Sequence, residues 1–130
     1  MIKDTTREFS DVLGMCRKVF EAKLGDYGPS WRLLRPSSVT DQLFIKAKRI
    51  RSLQLKGKTL VGDGIKGEFM ALINYSFIGV IQSRQGFVDS KDMDSAAALA
   101  AYDGVASEAL ALMVKKNHDY DEAWRSMRIS

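Results

Sequence analysis

The chain has 130 residues and a net charge of +4, and it is 45% hydrophobic and 28% charged, the profile of one soluble globular domain. A single cysteine, Cys16, excludes an internal disulfide framework, and one cysteine with one histidine cannot supply a zinc site. With no basic leader before an apolar run and only interrupted apolar stretches, we expect a cytoplasmic protein without a membrane contact.

The first predicted element is an amphipathic helix. The capping box Thr5–Glu8 can satisfy two amides at its start. The apolar positions that follow share one helical face: Phe9, Val12, Leu13, Cys16, Phe20 and Leu24. We expect this helix to end near Gly25, and residues 25–39 to form an ordered loop with a short turn of helix after Pro29.

Two further helices are predicted in the middle of the chain. One begins at a cap from Ser38 or Thr40 and runs to about Lys56, with a narrow apolar stripe and basic outer faces. Residues 57–67 contain four glycines and are predicted to connect it to the next helix. That helix, over residues 64–85, has a wide apolar face, which predicts a central position in the fold.

The last main helix is alanine-rich. Asp94 or Ser95 can cap it, and it is expected to run to about Asn117. No segment shows the period-two alternation of a half-buried strand. The sequence therefore predicts an all-α helical bundle of about four main helices, in a single domain over residues 1–130.

A sequence repeat relates the two ends of the chain. Residues 23–37 recur as residues 116–130, at an offset of 93, with seven of fifteen positions identical in the pattern K-x-x-D-Y-x-x-[SA]-W-R-x-[LM]-R-x-S. The identical residues are polar and aromatic, which suggests that a polar site was duplicated together with the fold. We predict an internal duplication with one unit over residues 5–58 and a truncated second unit over residues 94–130.

Only the first copy continues into a strongly basic segment. Residues 31–58 hold eight Lys and Arg side chains and one acid, whereas acids exceed bases in the rest of the chain. Such a segment fits an anionic ligand such as nucleotide phosphate, or nucleic acid, although a solvated basic helix face gives the same pattern. The candidate phosphate-binding residues are Arg32, Arg35, Lys46 and Arg49.

Acidic and aromatic residues complete the predicted site. Asp26 and Glu68 are candidate catalytic residues, and with Asp41 they could bind Mg²⁺. Tyr27 and Trp31 are candidate contacts for a nucleotide base. The same residues have structural alternatives, since Asp26 can cap the next turn or pair with an arginine, and Trp31 can anchor its loop to the core.

The motif D-Y-G-x-[SA]-W-R-x-[LM]-R-P-S-S-x-T-D-Q, followed by F-I-K-A-K-R-I, closely resembles the family called nucleotide modification associated domain 1, as do Glu68 and Asn74-Tyr75 further along. Members of this bacterial and phage family usually carry the motif twice. The second copy departs from the pattern at Asp121, where glycine is usual. The resemblance implies an α-helical protein associated with nucleotide or DNA-base modification.

A more distant similarity links the chain to the all-α nucleotide pyrophosphohydrolases. Those enzymes hold Mg²⁺ with paired E-x-x-E and E-x-x-D motifs. This sequence lacks both pairs, and Glu68 is followed by Ala71 where an aspartate would stand.

Two interpretations remain open from the sequence. In the first, the protein binds a nucleotide or another phosphorylated small molecule. If it is an enzyme, this interpretation makes it a Mg²⁺-dependent nucleotide phosphohydrolase. In the second, it is a non-enzymatic helical module with structural D-Y-W-R loops, and its basic helix contacts a protein or nucleic acid partner. For the apolar surface near Leu110, Met113 and Trp124 we expect either a homodimer that covers it or a disordered C-terminal motif.

Overall fold

A computed structural model describes residues 4–56, 62–88, 92–120 and 123–126. Within these ranges the chain is helical and contains no strand, which confirms the predicted all-α bundle. The four main helices are α1 (Thr5–Tyr27), α2 (Pro36–Lys56), α3 (Gly62–Gln85) and α4 (Ser95–Tyr120). Two short 3-10 helices follow α1 and α4, at Ser30–Leu33 and Ala123–Ser126.

The start of α1 differs by one residue from the predicted capping box. The Asp4 carboxylate accepts a hydrogen bond of 3.0 Å from the Arg7 amide, and Thr5 is the first helical residue. Aspartate serves this position at least as well as threonine, so the cap moves to the residue with the stronger acceptor. The helix ends at Tyr27, two residues beyond the predicted end at Gly25.

The loop after α1 is shorter than predicted, because α2 begins at Pro36 and not at a cap from Ser38 or Thr40. Proline suits the first helical position, since its fixed φ is already helical and its missing amide would have no partner there. The Thr40 hydroxyl donates instead to the Pro36 carbonyl at 3.1 Å. The 3-10 helix at Ser30–Leu33 confirms the turn of helix predicted after Pro29.

The remaining boundaries are close to prediction. Helix α3 begins at Gly62, within the stretch that was predicted to be a connection. Asp94 caps α4, since its carboxylate accepts from the Ala97 amide at 2.8 Å. Helix α4 continues three residues past Asn117, to Tyr120.

Helices α2 and α3 form an antiparallel pair. Glu68, near the start of α3, contacts Lys46 and Arg49 in the second half of α2, while Val39 near the start of α2 lies against Gly79. A Cβ atom at Gly79 would lie 3.3 Å from Val39 Cγ1, so the absent side chain permits this close approach. The pairing places the basic stretch of α2 beside the start of α3.

Helix α1 runs antiparallel to α4, since Arg125, just after α4, contacts Thr5 and Glu8 at the start of α1. The guanidinium of Arg17 donates two hydrogen bonds, of 2.7 and 3.0 Å, to the carboxylate of Asp103 in α4. Helix α3 packs against the three other main helices, which confirms the predicted central position. The core is aromatic at its centre: the ring centroids of Phe20 and Tyr102 are 4.3 Å apart, and Phe77 meets Tyr102 edge-on at 5.4 Å.

A buried polar network crosses this core. The Tyr102 hydroxyl donates to Asn74 Oδ1 at 2.7 Å, and Asn74 Nδ2 donates to the Cys16 carbonyl at 3.1 Å. Burial raises the pKa of the Tyr102 hydroxyl and that of the Cys16 thiol above their ordinary values. The network joins α1, α3 and α4 and accounts for a polar residue inside the apolar α3.

Among the residues that the structure describes, α4 alone has the length and apolar composition of a helix that could cross a membrane. Core helices of soluble proteins meet the same criterion, and α4 contributes Ala98, Tyr102 and Val105 to the core. The expectation that every apolar stretch is too interrupted to span a bilayer was too strong for this helix. The cytoplasmic location stays a prediction.

Candidate functional site

The first motif arginine is enclosed by the fold. Arg32 is 2% exposed, and its guanidinium donates to both carboxylate oxygens of Asp92, at 3.1 and 3.0 Å. Its Nη1 donates to the Gly86 carbonyl at 2.6 Å and also to Gln82 Oε1. These hydrogen bonds hold the pKa of Asp92 below its usual value. The guanidinium predicted to bind phosphate is thus occupied by protein groups.

The backbone around Arg32 is fixed by the same neighbours. Gln82 Nε2 donates to the carbonyls of Arg32 and Leu34, at 3.0 and 2.6 Å, and the Val88 amide donates to the Arg32 carbonyl at 3.1 Å. Gln82 is completely buried. The 3-10 helix after α1 is therefore fastened to the C-terminal end of α3, and this sets the shape of the adjacent cleft.

The second motif arginine lies elsewhere. Arg35 is exposed, and its guanidinium carbon lies 5.2 Å from the centroid of the Phe87 ring. It does not line the cleft described below. Arg32 and Arg35 therefore do not form the joint phosphate clamp that their spacing suggested.

A cleft of about 710 Å³ opens between α1, the 3-10 helix at Ser30–Leu33, α2 and α3. We call it the α1–α3 cleft. Four aromatic side chains line it: Phe20, Tyr27, Trp31 and Tyr75. Three charged side chains line it as well: Lys23, Lys46 and Glu68. The structure thus brings Tyr27, Trp31, Lys46 and Glu68 of the predicted site into one cavity.

The charges in the cleft are partly paired. Lys46 Nζ lies 3.5 Å from Glu68 Oε2, and Arg49 Nε lies 2.9 Å from Glu68 Oε1. The Glu68 side chain is largely buried, and its Oε2 accepts no hydrogen bond from a described residue, so the Lys46 contact is a charge contact without hydrogen-bond geometry. Pairing with two cations explains how an acid is tolerated in the apolar α3.

Trp31 is a buried wall of the cleft. Its ring lies 5.9 Å from that of Phe20, and only 8% of the residue is exposed. The indole Nε1 is buried, and it finds no hydrogen-bond acceptor among the residues that the structure describes. A buried N–H of this kind normally has a partner, which makes this atom a candidate donor to a ligand in the cleft.

The predicted metal ligands are not brought together. Asp26 and Asp41 are exposed and do not line the cleft, while Glu68 does. Within the described ranges, no group of three or more His, Cys, Asp or Glu side chains is close enough to hold a metal ion. Glu68 is already neutralised by Lys46 and Arg49. The described residues therefore do not fit a Mg²⁺ site built from these three acids.

Several residues of the site were not singled out from the sequence. Lys23 lines the cleft, and it is the first position that is identical in the two copies of the motif, which was an available signal. Tyr75 is another, and it belongs to the Asn74-Tyr75 pair quoted for the resemblance. Gln82 and Asp92 gave no signal, because their role depends on contacts with a residue about fifty or sixty positions away.

The second motif copy repeats part of this local structure. Helix α4 ends at Tyr120 as α1 ends at Tyr27, and each is followed by a 3-10 helix at the aligned positions. Arg125, aligned with Arg32, donates to Thr5 Oγ1 at 2.7 Å and to Glu8 Oε1 at 2.5 Å. Residues 121–122 and 127–130 of this copy, and the predicted unit boundary at 58, lie outside the described residues.

Comparisons with known proteins agree with the sequence resemblance. A family model described as nucleotide modification associated domain 1 matches residues 23–83. The matched segment contains the 3-10 helix, α2 and most of α3, and so nearly all of the residues that line the α1–α3 cleft. Searches of curated proteins and of solved structures gave no match. The resemblance of this chain to the nucleotide modification associated domain 1 family is therefore supported over residues 23–83, which are 61 of its 130 residues.

Proposed function

We propose that the protein binds a nucleotide in the α1–α3 cleft. The observation that carries this proposal is the combination of aromatic walls with lysines in a cavity of about 710 Å³. Cavities of this size are typical of small-molecule sites, in which a few polar groups orient a ligand against apolar walls. The family description supports a nucleotide as the ligand.

The charges of the cleft favour an anionic group. Lys23 and Lys46 line the cavity, and Arg49 lies beside it through its ion pair with Glu68. Glu68 is the one acid among the described lining residues, so positive charge is in excess. The Lys46 contact with Glu68 is longer than that of Arg49, and a phosphate oxygen would offer Lys46 Nζ a charged hydrogen-bond acceptor.

The aromatic residues provide for a base. Tyr27 and Tyr75 line the cleft together with Trp31, and every base has a face that can stack on such rings. Trp31 is mostly covered, so we expect its contribution to be the buried indole N–H more than its ring face. A carbonyl oxygen or ring nitrogen of the base would accept this hydrogen bond.

Binding without metal-assisted hydrolysis is proposed, because the acids fit neither a shared Mg²⁺ site nor a general-base role within the described residues. Asp26 lies outside the cleft lining, and the Glu68 carboxylate is already paired with Lys46 and Arg49, which is the arrangement of a structural ion pair. The geometry supports recognition of a nucleotide, through its base and its phosphate.

The test is calorimetric titration of the full chain with nucleoside mono-, di- and triphosphates, beside a nucleoside and inorganic phosphate alone. We expect saturable binding of at least one nucleotide. Lys46→Gln should weaken it about tenfold, the loss expected for one charge-assisted hydrogen bond. Trp31→Phe should weaken it while leaving binding of inorganic phosphate unchanged.

Lys48→Gln is the matched control. Lys48 lies on the same helix, is exposed, and places its Nζ 5.2 Å from the Phe44 ring, away from the cleft. Its substitution should leave the affinity unchanged, and circular dichroism should show all three variants folded. Absence of binding to every nucleotide, or equal losses in the Lys46 and Lys48 variants, would reject the proposal.

A second function is favoured by the outer face of α2. Phe44 and Leu55 are 63% and 72% exposed there, and Lys48 and Arg51 stand between them at helical spacing. A mixed basic and apolar face fits contact with an anionic macromolecule. Binding of a labelled DNA duplex, lost in a Lys48→Gln, Arg51→Gln double variant, would support this role, and a Lys46→Gln variant would separate it from the cleft.

A further inference from the structure

One carboxylate oxygen of Glu68 has no hydrogen-bond donor among the residues that the structure describes. The Glu68 side chain is 15% exposed and lines the α1–α3 cleft. Arg49 Nε lies 2.9 Å from Oε1, whereas Lys46 Nζ lies 3.5 Å from Oε2, and Oε2 is the buried atom left without a hydrogen bond. Leaving such an atom unsatisfied is unfavourable, so a donor from a ligand would be favoured there. A carboxylate oxygen only accepts, so the ligand group at Oε2 has to be an O–H or N–H.

The α3 wall of the cleft has this acid at one end and an aromatic ring at the other. Glu68, Ala71 and Tyr75 line the cleft at helical spacing, and Tyr75 lies two turns beyond Glu68, about 10 Å along the helix axis. Ala71 is small and stands about one turn from each of them. Gly67 also lines the cleft, and a Cβ atom there would meet nothing within 4 Å. The wall therefore leaves space beside Glu68 and between the acid and the ring.

Lys46 decides which part of a nucleotide can reach Oε2. In the proposed function, on which this inference rests, Lys46 binds the phosphate and the base stacks on the aromatic wall that includes Tyr75. A group that donates to Oε2 must then lie close to the phosphate contact, because Lys46 Nζ is only 3.5 Å away. A sugar hydroxyl is a few bonds from the phosphate, whereas the amino groups of the bases lie at the far edge of the ligand, toward Tyr75.

We propose that Glu68 Oε2 accepts a hydrogen bond from a hydroxyl of the nucleotide sugar, and that Glu68 thereby selects ligands that carry this hydroxyl. Lys46 is the residue that makes room. Its contact with Oε2 is a charge contact without hydrogen-bond geometry, so its Nζ shifts to a phosphate oxygen and the hydroxyl takes its place. Arg49 stays at Oε1 as the counter-charge of the carboxylate.

The test compares nucleotides that differ only in the sugar. The probes are the 5′-monophosphates of the four common ribonucleosides and their 2′-deoxy, 3′-deoxy and 2′,3′-dideoxy analogues, titrated calorimetrically into the full chain. We expect the dideoxy analogue to bind about tenfold more weakly than its parent, the loss for one hydrogen bond to a charged group. The two monodeoxy analogues identify which hydroxyl donates. This comparison uses the wild-type chain, so it is decisive even if a variant at Glu68 is unstable.

Glu68→Met removes the acceptor and keeps the length of the side chain. In this variant the parent and the dideoxy nucleotide should bind equally well, and inorganic phosphate should bind more tightly, because Lys46 loses its competing carboxylate. Glu108→Met is the matched control. Glu108 also forms an ion pair with an arginine of another helix, Arg84 of α3, but it does not line the cleft. The control should keep the full tenfold discrimination, and circular dichroism should show both variants folded.

The failure of this inference is distinct from the failure of nucleotide binding. Equal affinity of the wild-type chain for parent and dideoxy nucleotides would overturn the role of Glu68 and leave the proposed function intact. Discrimination that persists in Glu68→Met would do the same, because another group would then hold the hydroxyl. Inosine monophosphate tests the base: weaker binding than adenosine monophosphate, with the difference abolished by Glu68→Met, would assign Oε2 to the amino group and also overturn the inference. Absence of binding by every nucleotide would reject both proposals.

Discussion

The guanidinium of Arg32 and the carboxylate of Asp92 form a two-bond ion pair across 60 residues of sequence. The Arg32 side chain is 2% exposed and the Asp92 side chain is 43% exposed, so the ion pair extends from the interior, where Arg32 also contacts Gln82, to the surface. Arg32 therefore holds in place the 3-10 helix that forms one wall of the cleft, and its own side chain does not line the cleft. Arg125 likewise holds the second 3-10 helix, Ala123–Ser126, against the start of α1 through its ion pair with Glu8.

Replacing Arg32 with alanine should destabilise the protein by about 3 kcal/mol, because Asp92, Gln82 and the Gly86 carbonyl would all lose a donor. Arg35→Ala, at the exposed second arginine of the motif, should cost less than about 1 kcal/mol, the value of its stacking on Phe87. Urea denaturation measures both. Equal losses would contradict the assignment of Arg32 as the structural member of the pair.

The Arg32 hydrogen bonds lower the pKa of Asp92, and this gives a direction for acid stability. The contribution of the pair is complete above about pH 4, where the unfolded chain is ionised, and it is lost as the pH falls through the lowered pKa of the folded state. Asp92→Asn should therefore be less stable than wild type near about pH 7, and the stability difference should shrink as the pH falls through the lowered pKa of Asp92. A gap that stays constant with pH would contradict this origin.

The Tyr102 hydroxyl supplies the hydrogen bond to Asn74 Oδ1 inside the core. Tyr102→Phe should destabilise the protein by about 1–2 kcal/mol, because a buried amide oxygen is left without its donor. Tyr75→Phe is the matched control, since no described residue is hydrogen-bonded to the Tyr75 hydroxyl; its effect should stay within about 0.5 kcal/mol. Thermal unfolding distinguishes the two. An equal effect of both changes would show that the network contributes little.

Two glycines near the end of α1 should respond in opposite directions. Gly28 has φ 63° and ψ −167°, a conformation essentially restricted to glycine, so Gly28→Ala should cost about 1–3 kcal/mol. Gly25 lies inside α1, and a Cβ there would contact nothing within 4 Å, so Gly25→Ala should stabilise by up to about 1 kcal/mol. Unfolding midpoints of the two variants measure the contrast, and a shift of the same sign in both would contradict it.

Most of the fold follows from local patterns. Periodicity predicted the four helices, and the short turn after Pro29 was confirmed. The boundaries that differed did so where two local signals competed. Asp4 displaced Thr5 as the cap, and Pro36 opened α2 before the expected serine or threonine. Neither choice depends on distant parts of the chain, but a single sequence does not rank such competing caps.

The candidate site was less accessible to prediction. Residue types and a basic segment identified Lys46, Glu68, Tyr27 and Trp31, which do share one cleft. The same reasoning grouped Arg32 with Arg35 as a clamp, and Asp26 with Asp41 and Glu68 as metal ligands, and the structure separates the members of both groups. Charge and spacing indicate what a side chain can bind, but they do not show which side chains are already paired with other groups of the folded protein.

The sequence by itself determined an all-α protein, its resemblance to a family over residues 23–83 and the existence of a repeated motif, because helical periodicity and motif identity are local properties. The tertiary structure alone decided what each copy of that motif does. Buried charge must be matched, so Arg32 is bound to Asp92, and Glu68 is paired with Lys46 and Arg49. Lys23 and Trp31 line the cleft beside the Lys46–Glu68 pair. The packing of α3 covers Val105 and leaves Val12, its counterpart at the offset of 93 residues, open.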